Sequence, residues 1–508
     1  MATSNRRGAL ASAFLLLGLC AGIGPAGGQV LTVLHSFSGT GDDGSTPEAG
    51  LVEGSDGNFY GTTSGGGSNG VGTIFQITPG GTLMTIHSFN GNDGATPRAA
   101  LVDGSDGAFY GTVGYGFLDY GSFFRVTPTG AFATLFHFYG SEGGQPNGIV
   151  LASDGYFYGT TNHGIGPVYV YGTVFRVTSG GGLSTLYTLD GSTGRYPNAP
   201  PIEGTDGLFY GTIEAYGTYG QGTIYGMTSS GSLTVLHSFG ASPGEGAAPF
   251  GKLLAASDGN LYGTTRSGGA GAGTLFRMAR DGTSFATLRS FVDADGCVPN
   301  AGLIQVGGNL YGTTSACGVD GNGTLFQITP AGNFVVFHYF HGTDGSSPRA
   351  PLLLGSDGYL YGTTSSGGGS GFGTVFKVAL PSKANLDFYT LTPCRVLDTR
   401  NAAAPLGGPA LAAGADRIFP LAGTCGIPAD ARSVSLNVTI TQPTAAGDLR
   451  LFPGGAALPL VSTINYRLGE TRANNAIATL GPSGGLDVWC DQTSGTVHLI
   501  IDVNGYFQ

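Results

Sequence analysis

Charged residues are scarce in this chain: only 10% of its 508 residues are Asp, Glu, Lys or Arg, and they sum to a net charge of −11. No basic stripe and no aromatic platform carrying arginine occurs, which argues against a nucleic-acid partner. Long apolar runs are also missing after the N-terminus, so we expect no membrane span. Tryptophan occurs once, at Trp489.

The N-terminus itself has the pattern of a secretory signal. Two arginines precede an apolar run from Ala9 to Ile23, and small residues continue to Gly28. Because this run is too short to span a membrane, we predict a signal peptide over residues 1–28, cleaved after Ala26 or Gly28. The protein is therefore expected to be secreted, extracellular or on the cell surface.

Glycine, in contrast, is abundant, with 95 residues, and it separates the strands of a repeat about fifty residues long. Short β-branched and aromatic runs read as four strands in each copy. A Tyr-Gly pair marks the second strand of every copy, and successive tyrosines are 48 to 52 residues apart. These tyrosines are Tyr60, Tyr110, Tyr158, Tyr210, Tyr262, Tyr311 and Tyr361. A strand-only repeat of this length predicts an all-β fold, a seven-bladed β-propeller.

The two ends of the repeat array complement each other. The chain begins with a lone fourth strand, LTVLHSF, at Leu31–Phe37, whereas the seventh copy ends after its third strand, GTVFKV, at Gly373–Val378. Pairing these two strands would complete the last blade and hide two exposed sheet edges. We therefore predict that the N-terminal strand closes the last blade of a propeller spanning residues 29–380.

The repeat pattern stops after Leu380. Residues 381–387 are predicted to be a linker, and residues 388–508 a second domain. Alternating runs such as Ser433–Thr441 and Thr496–Phe507 predict a β-sandwich there. Its densest polar cluster is interpreted as structural support, and the members are Arg395, Asp398, Arg400, Arg467, Arg472 and Asn475.

Five cysteines remain after removal of the signal peptide. Cys297 and Cys317 lie in two loops of one copy that emerge on the same face, so we predict a disulfide between them, which would contribute about 3 kcal/mol in the chain-entropy model. Among Cys394, Cys425 and Cys490 at least one must stay free or pair outside the chain. The sequence does not choose which.

Two resemblances follow from these motifs. The repeats, with SDGNFYGTT, GTIFQITPGG and LHSF in order, resemble the GloVer tandem repeat of secreted bacterial proteins. The last domain, from TPCRVLDTR to DVNGYF, is similar to an accessory module found at the ends of secreted bacterial proteins. Neither resemblance implies a catalytic residue or a cofactor.

Three side-chain series follow the repeat. An acidic residue four positions before the proline of the loop between strands 4 and 1 suggests either calcium ligands or turn formation, and we favour the turn. A second acidic series before the tyrosine strand is interpreted as hairpin-turn residues. Histidines in register on strand 4 are interpreted as half-buried strand residues, because separate blades cannot bring them to one metal ion. The first series is Asp43, Asp93, Glu142, Glu245, Asp295 and Asp344; the second is Asp56, Asp106, Asp154, Asp206, Asp258 and Asp357; the histidines are His35, His87, His137, His237 and His338.

The loops between strands 2 and 3 break the symmetry. In copies one, five and seven these loops consist mainly of glycine and other small residues, but in copies two, three and four they are rich in tyrosine. Tyrosines with a few polar groups stack on sugar rings or anchor a protein partner, whereas packing between neighbouring loops is the structural alternative. The predicted ligand-contact residues are Tyr115, Asp119, Tyr120, His163, Tyr169, Tyr171, Glu214, Tyr216 and Tyr219.

No nucleophile motif or paired acid and base stands out, although His163, Asp119 and Glu214 are off-pattern titratable residues. We expect a non-enzymatic binding protein without a cofactor or metal, whose partner is an envelope glycan or a surface protein. A passive surface-coat protein and a propeller hydrolase or lyase are the alternatives. The oligomeric state is open.

Overall fold

The computed structural model describes residues 31–116, 120–163, 171–380, 388–429, 431–456, 458–459, 462–481 and 484–507. The chain divides into two compact units, Met1–Ser382 and Lys383–Gln508. Within the described ranges the structure contains no α-helix, only a short 3-10 turn at Asp293–Asp295. None of the described segments forms a helix long and apolar enough to cross a membrane. The predicted signal peptide and linker lie outside the described residues.

Seven antiparallel sheets form the first unit, and we number these repeat sheets 1 to 7 by the copy that supplies their second strand. Each contains strands 1 to 4 of the repeat in spatial order; in repeat sheet 5, strand 1 is split into two segments. The strands are Val52–Glu53, Phe59–Thr63, Thr73–Ile77 and Leu83–Ser88 in sheet 1; Val102–Asp103, Phe109–Val113, Ser122–Val126 and Phe132–His137 in sheet 2; Gly144–Leu151, Phe157–His163, Thr173–Val177 and Leu183–Thr188 in sheet 3; Ile202–Glu203, Phe209–Ile213, Thr223–Met227 and Leu233–Ser238 in sheet 4; Ala247–Pro249 with Leu254–Ala255, Asn260–Ser267, Thr274–Ala279 and Ala286–Ser290 in sheet 5; Ile304–Val306, Asn309–Thr314, Thr324–Ile328 and Phe334–Tyr339 in sheet 6; and Leu353–Leu354, Tyr359–Thr364, Thr374–Ala379 and Leu31–Ser36 in sheet 7. A small ribbon pairs Gly44–Ser45 with Gly65–Gly66.

The first strand of the chain belongs to the last repeat sheet. Leu31–Ser36 pairs antiparallel with Thr374–Ala379, with Leu31 opposite Val378. The predicted pairing is thus confirmed, although the first strand ends at Ser36 and not at the predicted Phe37. Phe37 instead enters a hydrophobic cluster between repeat sheets 7 and 1.

Every pair of successive repeat sheets encloses such a cluster. Six clusters join sheets 1 to 7 in chain order. A seventh joins sheet 7 to sheet 1, where the ring centroids of Phe59 and Tyr361 are 4.0 Å apart. Each repeat sheet therefore buries apolar side chains on both faces.

The Tyr-Gly pair is explained by two close contacts. The buried Tyr60 hydroxyl donates to Asp56 in the turn before it, at 2.7 Å, which satisfies a polar group that burial would otherwise leave unpaired. Gly61 leaves room for Phe75, since a Cβ there would lie 2.5 Å from Phe75 Cζ. The turn interpretation of the second acidic series is confirmed, because all six aspartates accept this bond, at 2.6 to 3.0 Å.

Neighbouring repeat sheets are also linked through the loop between strands 4 and 1. The residue before the proline of this loop has a left-handed φ of 54° to 67° in all seven copies. The amide of Thr96 donates to the Val71 carbonyl of the preceding sheet at 2.8 Å, and Pro97 packs on Gly72. The equivalent residues are Thr46, Thr96, Gln145, Tyr196, Ala248, Val298 and Ser347. The Thr46 amide makes the same bond to the Phe372 carbonyl of sheet 7, at 2.8 Å.

At five of the seven junctions between copies, the acid of the first series pairs with the residue at the histidine position of strand 4. His87 Nε2 lies 3.1 Å from Asp93 Oδ2, while Asp93 Oδ1 accepts the amide of Asn90 at 2.9 Å. Burial lowers the pKa of His87, against the opposite effect of Asp93. These bonds support the turn interpretation of the acids, and the histidines are half-buried as predicted. The other pairs are His35–Asp43, His237–Glu245, Arg289–Asp295 and His338–Asp344.

Within its described residues, the second unit consists of two antiparallel sheets around one hydrophobic core. In the first sheet the spatial order is Phe388–Asp398, Thr496–Phe507, Ser433–Thr441 and Arg472–Thr479, with Leu411–Ala412 also pairing with Thr496–Phe507. In the second it is Asp416–Pro420, Gly485–Gln492, Gly447–Pro453 and Ile464–Tyr466. Alternating side chains of both sheets, including Val434, Leu436 and Val488, fill the core.

Two disulfides are present. Cys297 pairs with Cys317, as predicted, with Cα atoms 5.3 Å apart. Cys394 pairs with Cys425, with Cα atoms 5.9 Å apart, while Cys490 is a buried free thiol. The structure thereby selects one of the pairings that the sequence left open.

Candidate functional site

The predicted contact residues lie where two kinds of loop run side by side. In repeat sheet 2 the loop between strands 2 and 3 pairs with the loop between strands 4 and 1 through Tyr115 and Ala95. Arg195 and Ala215 form the same bridge in repeat sheet 4, with an amide-to-carbonyl distance of 2.8 Å. Side chains from both loops therefore share one surface.

A polar chain connects repeat sheet 2 to repeat sheet 3. The carbonyl of Tyr120 accepts the amide of Gln145 at 2.9 Å, and the Gln145 side chain lies 3.0 Å from His163 Nε2. The Tyr120 ring lies against Gly144, because a Cβ there would come within 2.7 Å of Tyr120 Cδ1. The ring is nevertheless 41% exposed, so it is positioned and still accessible.

Aromatic contacts continue from repeat sheet 3 to repeat sheet 4. Tyr171 and Tyr216 meet edge to face, with ring centroids 5.7 Å apart. The Arg195 guanidinium lies over the Tyr196 ring, 4.3 Å from its centroid. Burial, and secondly the charge of Arg195, lower the pKa of His163, so this imidazole is neutral at neutral pH.

Glu214 is occupied by an ion pair. Its Oε1 lies 3.1 Å from Arg266 of repeat sheet 5, and its Oε2 accepts from the Asn198 amide at 2.5 Å. A carboxylate held in this way between two neighbouring sheets helps to fix the loops, and its predicted role as a ligand contact stays a prediction.

The structure thus links Tyr120 with His163 through Gln145 and brings Tyr171 against Tyr216, while Tyr115 and Tyr219 lie in the same loops as Tyr120 and Tyr216. We call this set of residues the tyrosine surface and define it as Tyr115, Tyr120, His163, Tyr171, Tyr216 and Tyr219. Tyr219, 54% exposed, lies beside Gly240 at its far end. Tyr171 is partly buried against the core between sheets 3 and 4, so part of its role is packing. Asp119 and Tyr169 lie outside the described residues.

Sequence reasoning missed Gln145, Arg195 and Tyr196. Arg195 and Tyr196 lie in the loop between strands 4 and 1, and Gln145 lies at the equivalent position, at the start of strand 1 of repeat sheet 3. This part of the repeat was treated as a turn only. The signal was available, because Arg195 and Tyr196 stand where the other copies have smaller residues or glutamine. The surface is therefore marked by sequence variation in the loops between strands 4 and 1 as well as in the loops between strands 2 and 3.

The side chains of the tyrosine surface are suited to contacting a ligand. The surface offers exposed aromatic faces, phenol hydroxyls and one imidazole, and the neighbouring Arg195 and Gln145 add a guanidinium and an amide. Among the side chains that the structure describes, no group of three or more His, Cys, Asp or Glu residues is placed to hold a metal ion.

Solved structures similar to this chain are distant. A nidogen/laminin complex matches with 15% identity and a TM-score of 0.35, covering 53% of this chain and 91% of that chain. A 6-phosphogluconolactonase-like protein from Bacteroides uniformis matches with 17% identity and a TM-score of 0.42, covering 60% and 87%. A puromycin hydrolase mutant matches with 14% identity and a TM-score of 0.41, covering 63% of this chain and only half of that one. Similarities of this size assign no activity.

No curated protein matches the sequence. The model of the Gloeobacter/Verrucomicrobia repeat family, however, matches twice, at residues 18–215 and 197–414. These matches include all seven Tyr-Gly pairs, which agrees with the resemblance drawn from the repeat motifs. The chain belongs to the Gloeobacter/Verrucomicrobia repeat family.

Proposed function

We propose that the first unit is a closed seven-bladed β-propeller. The strand pairing between Leu31–Ser36 and Thr374–Ala379 supports this, as does the hydrophobic cluster between repeat sheets 7 and 1. Polar contacts cross the same junction, since Arg349 pairs with Glu48 at 3.2 Å. Such a ring holds its loops in fixed positions at a common rim.

We further propose that the protein is a secreted or cell-surface binding protein whose tyrosine surface contacts a glycan or a protein. One observation carries this proposal: the loops of repeat sheets 2 to 4 present Tyr115, Tyr120, Tyr216 and Tyr219, which remain 39% to 54% exposed. Exposed, positioned tyrosines provide large contact areas at low entropic cost. The two disulfides and the signal-like N-terminus favour an oxidising compartment outside the cell.

Binding is favoured over catalysis because the two off-pattern titratable residues that the structure describes, Glu214 and His163, are otherwise engaged. Glu214 is paired with Arg266. His163 contacts Gln145 and faces the positive charge of Arg195. A general acid and base need free, convergent groups, and these two side chains have separate partners.

The test is a binding assay on glycan arrays and envelope fractions with the full chain and a Tyr120→Ala/Tyr216→Ala/Tyr219→Ala variant. We expect the variant to lose at least about tenfold in affinity, because each ring contributes roughly 1 kcal/mol or more of contact. Unchanged binding to every retained fraction would contradict the proposal.

A matched control is available in repeat sheet 7, outside the repeat sheets that carry the tyrosine surface. Phe372 lies in the loop between strands 2 and 3 of repeat sheet 7 and is 44% exposed. Phe372→Ala removes an aromatic ring from the corresponding loop, outside the tyrosine surface. It is expected to leave the same binding within twofold.

A further inference from the structure

The second unit contains a polar row that crosses all four main strands of its first sheet. Arg395 lies opposite Asp502, Asp502 opposite Asn437, and Asn437 opposite Asn475. These residues share the face directed away from the core, since the residues flanking Asn437 on its strand, Leu436 and Val438, are buried. A transverse row of two amides, a carboxylate and a guanidinium is therefore displayed on one sheet face.

A cleft lies beside this row, where the pairing of Thr496–Phe507 is irregular with both of its neighbouring strands. Asn504 has no partner on Ser433–Thr441, where the register shifts between Ser435 and Leu436. On the other side, three residues of Phe388–Asp398 lie between the partners of Gly505 and Val503. Bulges of this kind separate strands and redirect side chains, often beside binding sites. The resulting cleft of about 270 Å³ is lined by Pro393, Asn437, Asp502, Val503 and Asn504.

The charges around the cleft cancel. Arg395 holds Asp502 through two bonds of 2.9 and 3.3 Å. Arg400 pairs with Asp398 at 2.6 Å and lowers the pKa of that carboxyl to about 2. Two guanidiniums and two carboxylates leave no net charge, and Asp502 is not free to bind a cation. An ionic ligand would thus gain little here.

The amides, in contrast, are available. Within the described residues, the side chains of Asn437, Asn475 and Asn504 make no hydrogen bond to protein groups, and Asn437 is half-buried while the other two are exposed. Each amide offers two donors and an acceptor. Pro393 adds an apolar wall. Donors and acceptors of this kind around a small, uncharged cleft match the hydroxyl groups of a sugar.

We propose that this cleft binds one sugar unit of a neutral glycan, as a second binding site separate from the tyrosine surface. Its volume lies just below the usual range of ligand pockets, roughly 300 to 1,000 Å³, which suits a single ring of a longer polymer. The site is formed entirely within the second unit and does not depend on the proposed role of the first.

The experiment measures binding of the full chain to soluble neutral polysaccharides (dextran, laminarin, xylan and galactomannan), with polygalacturonate as the anionic comparison. We expect binding to at least one neutral polymer, and an affinity at least about tenfold lower for Asn437→Ala/Asn504→Ala, since two polar contacts are lost. Retention of binding in the tyrosine-surface variant would support the separate site.

Thr439→Val is the control, because Thr439 lies on the same sheet face but does not line the cleft. It should bind as the parent chain does, and melting curves should show that all variants are folded. The proposal is overturned if no neutral polymer binds, if only polygalacturonate binds, or if the double asparagine variant binds within twofold of the parent. If the tyrosine-surface variant loses binding and the double asparagine variant does not, the glycan binds to the first unit instead.

Discussion

The tyrosine of each Tyr-Gly pair combines a buried ring with a hydroxyl that reaches a turn carboxylate. Tyr262 donates to Asp258 at 2.7 Å, and burial, followed by this bond, raises the pKa of Tyr262 to about 12. The phenol therefore stays protonated and acts as a donor at any physiological pH. A hydrogen bond to a charged acceptor contributes about 1.5 to 3 kcal/mol.

Tyr262→Phe should accordingly lower the free energy of unfolding by about 1.5 kcal/mol or more, because the ring is retained and only the bond to Asp258 is lost. Denaturant unfolding measures the change. Repeat sheet 6 provides the comparison, since Gly307 stands where its turn aspartate would be. Tyr311→Phe should cost clearly less, and equal costs would show that the carboxylate bond does not stabilise the repeat.

Sequence reasoning identified both partners of this bond but not the bond itself. The tyrosine was assigned to a strand and Asp258 to a hairpin turn, each by its local pattern. Their spacing of four residues crosses the turn, so the side chains meet only once strand 2 has folded back beside strand 1. A rule that treats turn residues by their backbone preference alone misses such contacts.

At the scale of the element, the link between neighbouring repeat sheets depends on glycine. Gly323 directly precedes strand 3 of repeat sheet 6 and has a φ of +93°. A Cβ there would lie 2.2 Å from the Thr314 carbonyl oxygen and 2.9 Å from Pro348 of the next sheet. Gly321, two residues earlier, has a φ of +76° and nothing within 4 Å of its Cβ position. A side chain at Gly321 would therefore add backbone strain alone, whereas a side chain at Gly323 would add both backbone strain and a steric conflict.

We expect Gly323→Ala to destabilise the protein by roughly 3 kcal/mol or more, whereas Gly321→Ala should cost only about 1 kcal/mol from its left-handed backbone. Thermal unfolding of the two variants provides the comparison. Similar losses in both would mean that the contact with Pro348 does not constrain the junction.

Two exceptions to the residue series were visible in the sequence, but they were interpreted separately although they are coupled. The junction between copies 3 and 4 has Tyr187 and Thr193, whereas most other junctions have a histidine and an acid. At this junction the Asp190 amide donates to Thr193 Oγ1 at 2.8 Å, a bond that replaces the bond between amide and acid seen at Asp93. The two exceptions therefore lie at one junction, where the hydroxyl of Thr193 replaces the carboxylate.

At the scale of the whole molecule, the repeat period and the complementary ends predicted the strand pairing correctly, because both depend on strand order alone. The tyrosine surface was predicted only in part. Gln145 lies near His163 because strands 1 and 2 of repeat sheet 3 pair with Gly144 opposite His163. Arg195 faces His163 from the loop that leads to repeat sheet 4, and a repeat-by-repeat reading contains no information on such contacts. The partner of Cys394 likewise depended on the folded second unit.

The junction between the two ends of the repeat array is the basis of the proposed ring. A chain beginning at Ser38 lacks the strand that pairs with Thr374–Ala379 and also lacks Phe37, which is fully buried. The control is Thr32→Ala in a chain beginning at Gln29, because Thr32 is exposed and its loss leaves the strand in place.

The most direct test is the melting temperature of the first unit in these two chains. A closed ring predicts a fall of roughly 5 °C or more for the chain beginning at Ser38, since an entire edge strand and a buried aromatic ring are removed, and little change for the control. Equal melting temperatures would contradict closure and, with it, the fixed rim on which the tyrosine surface is placed.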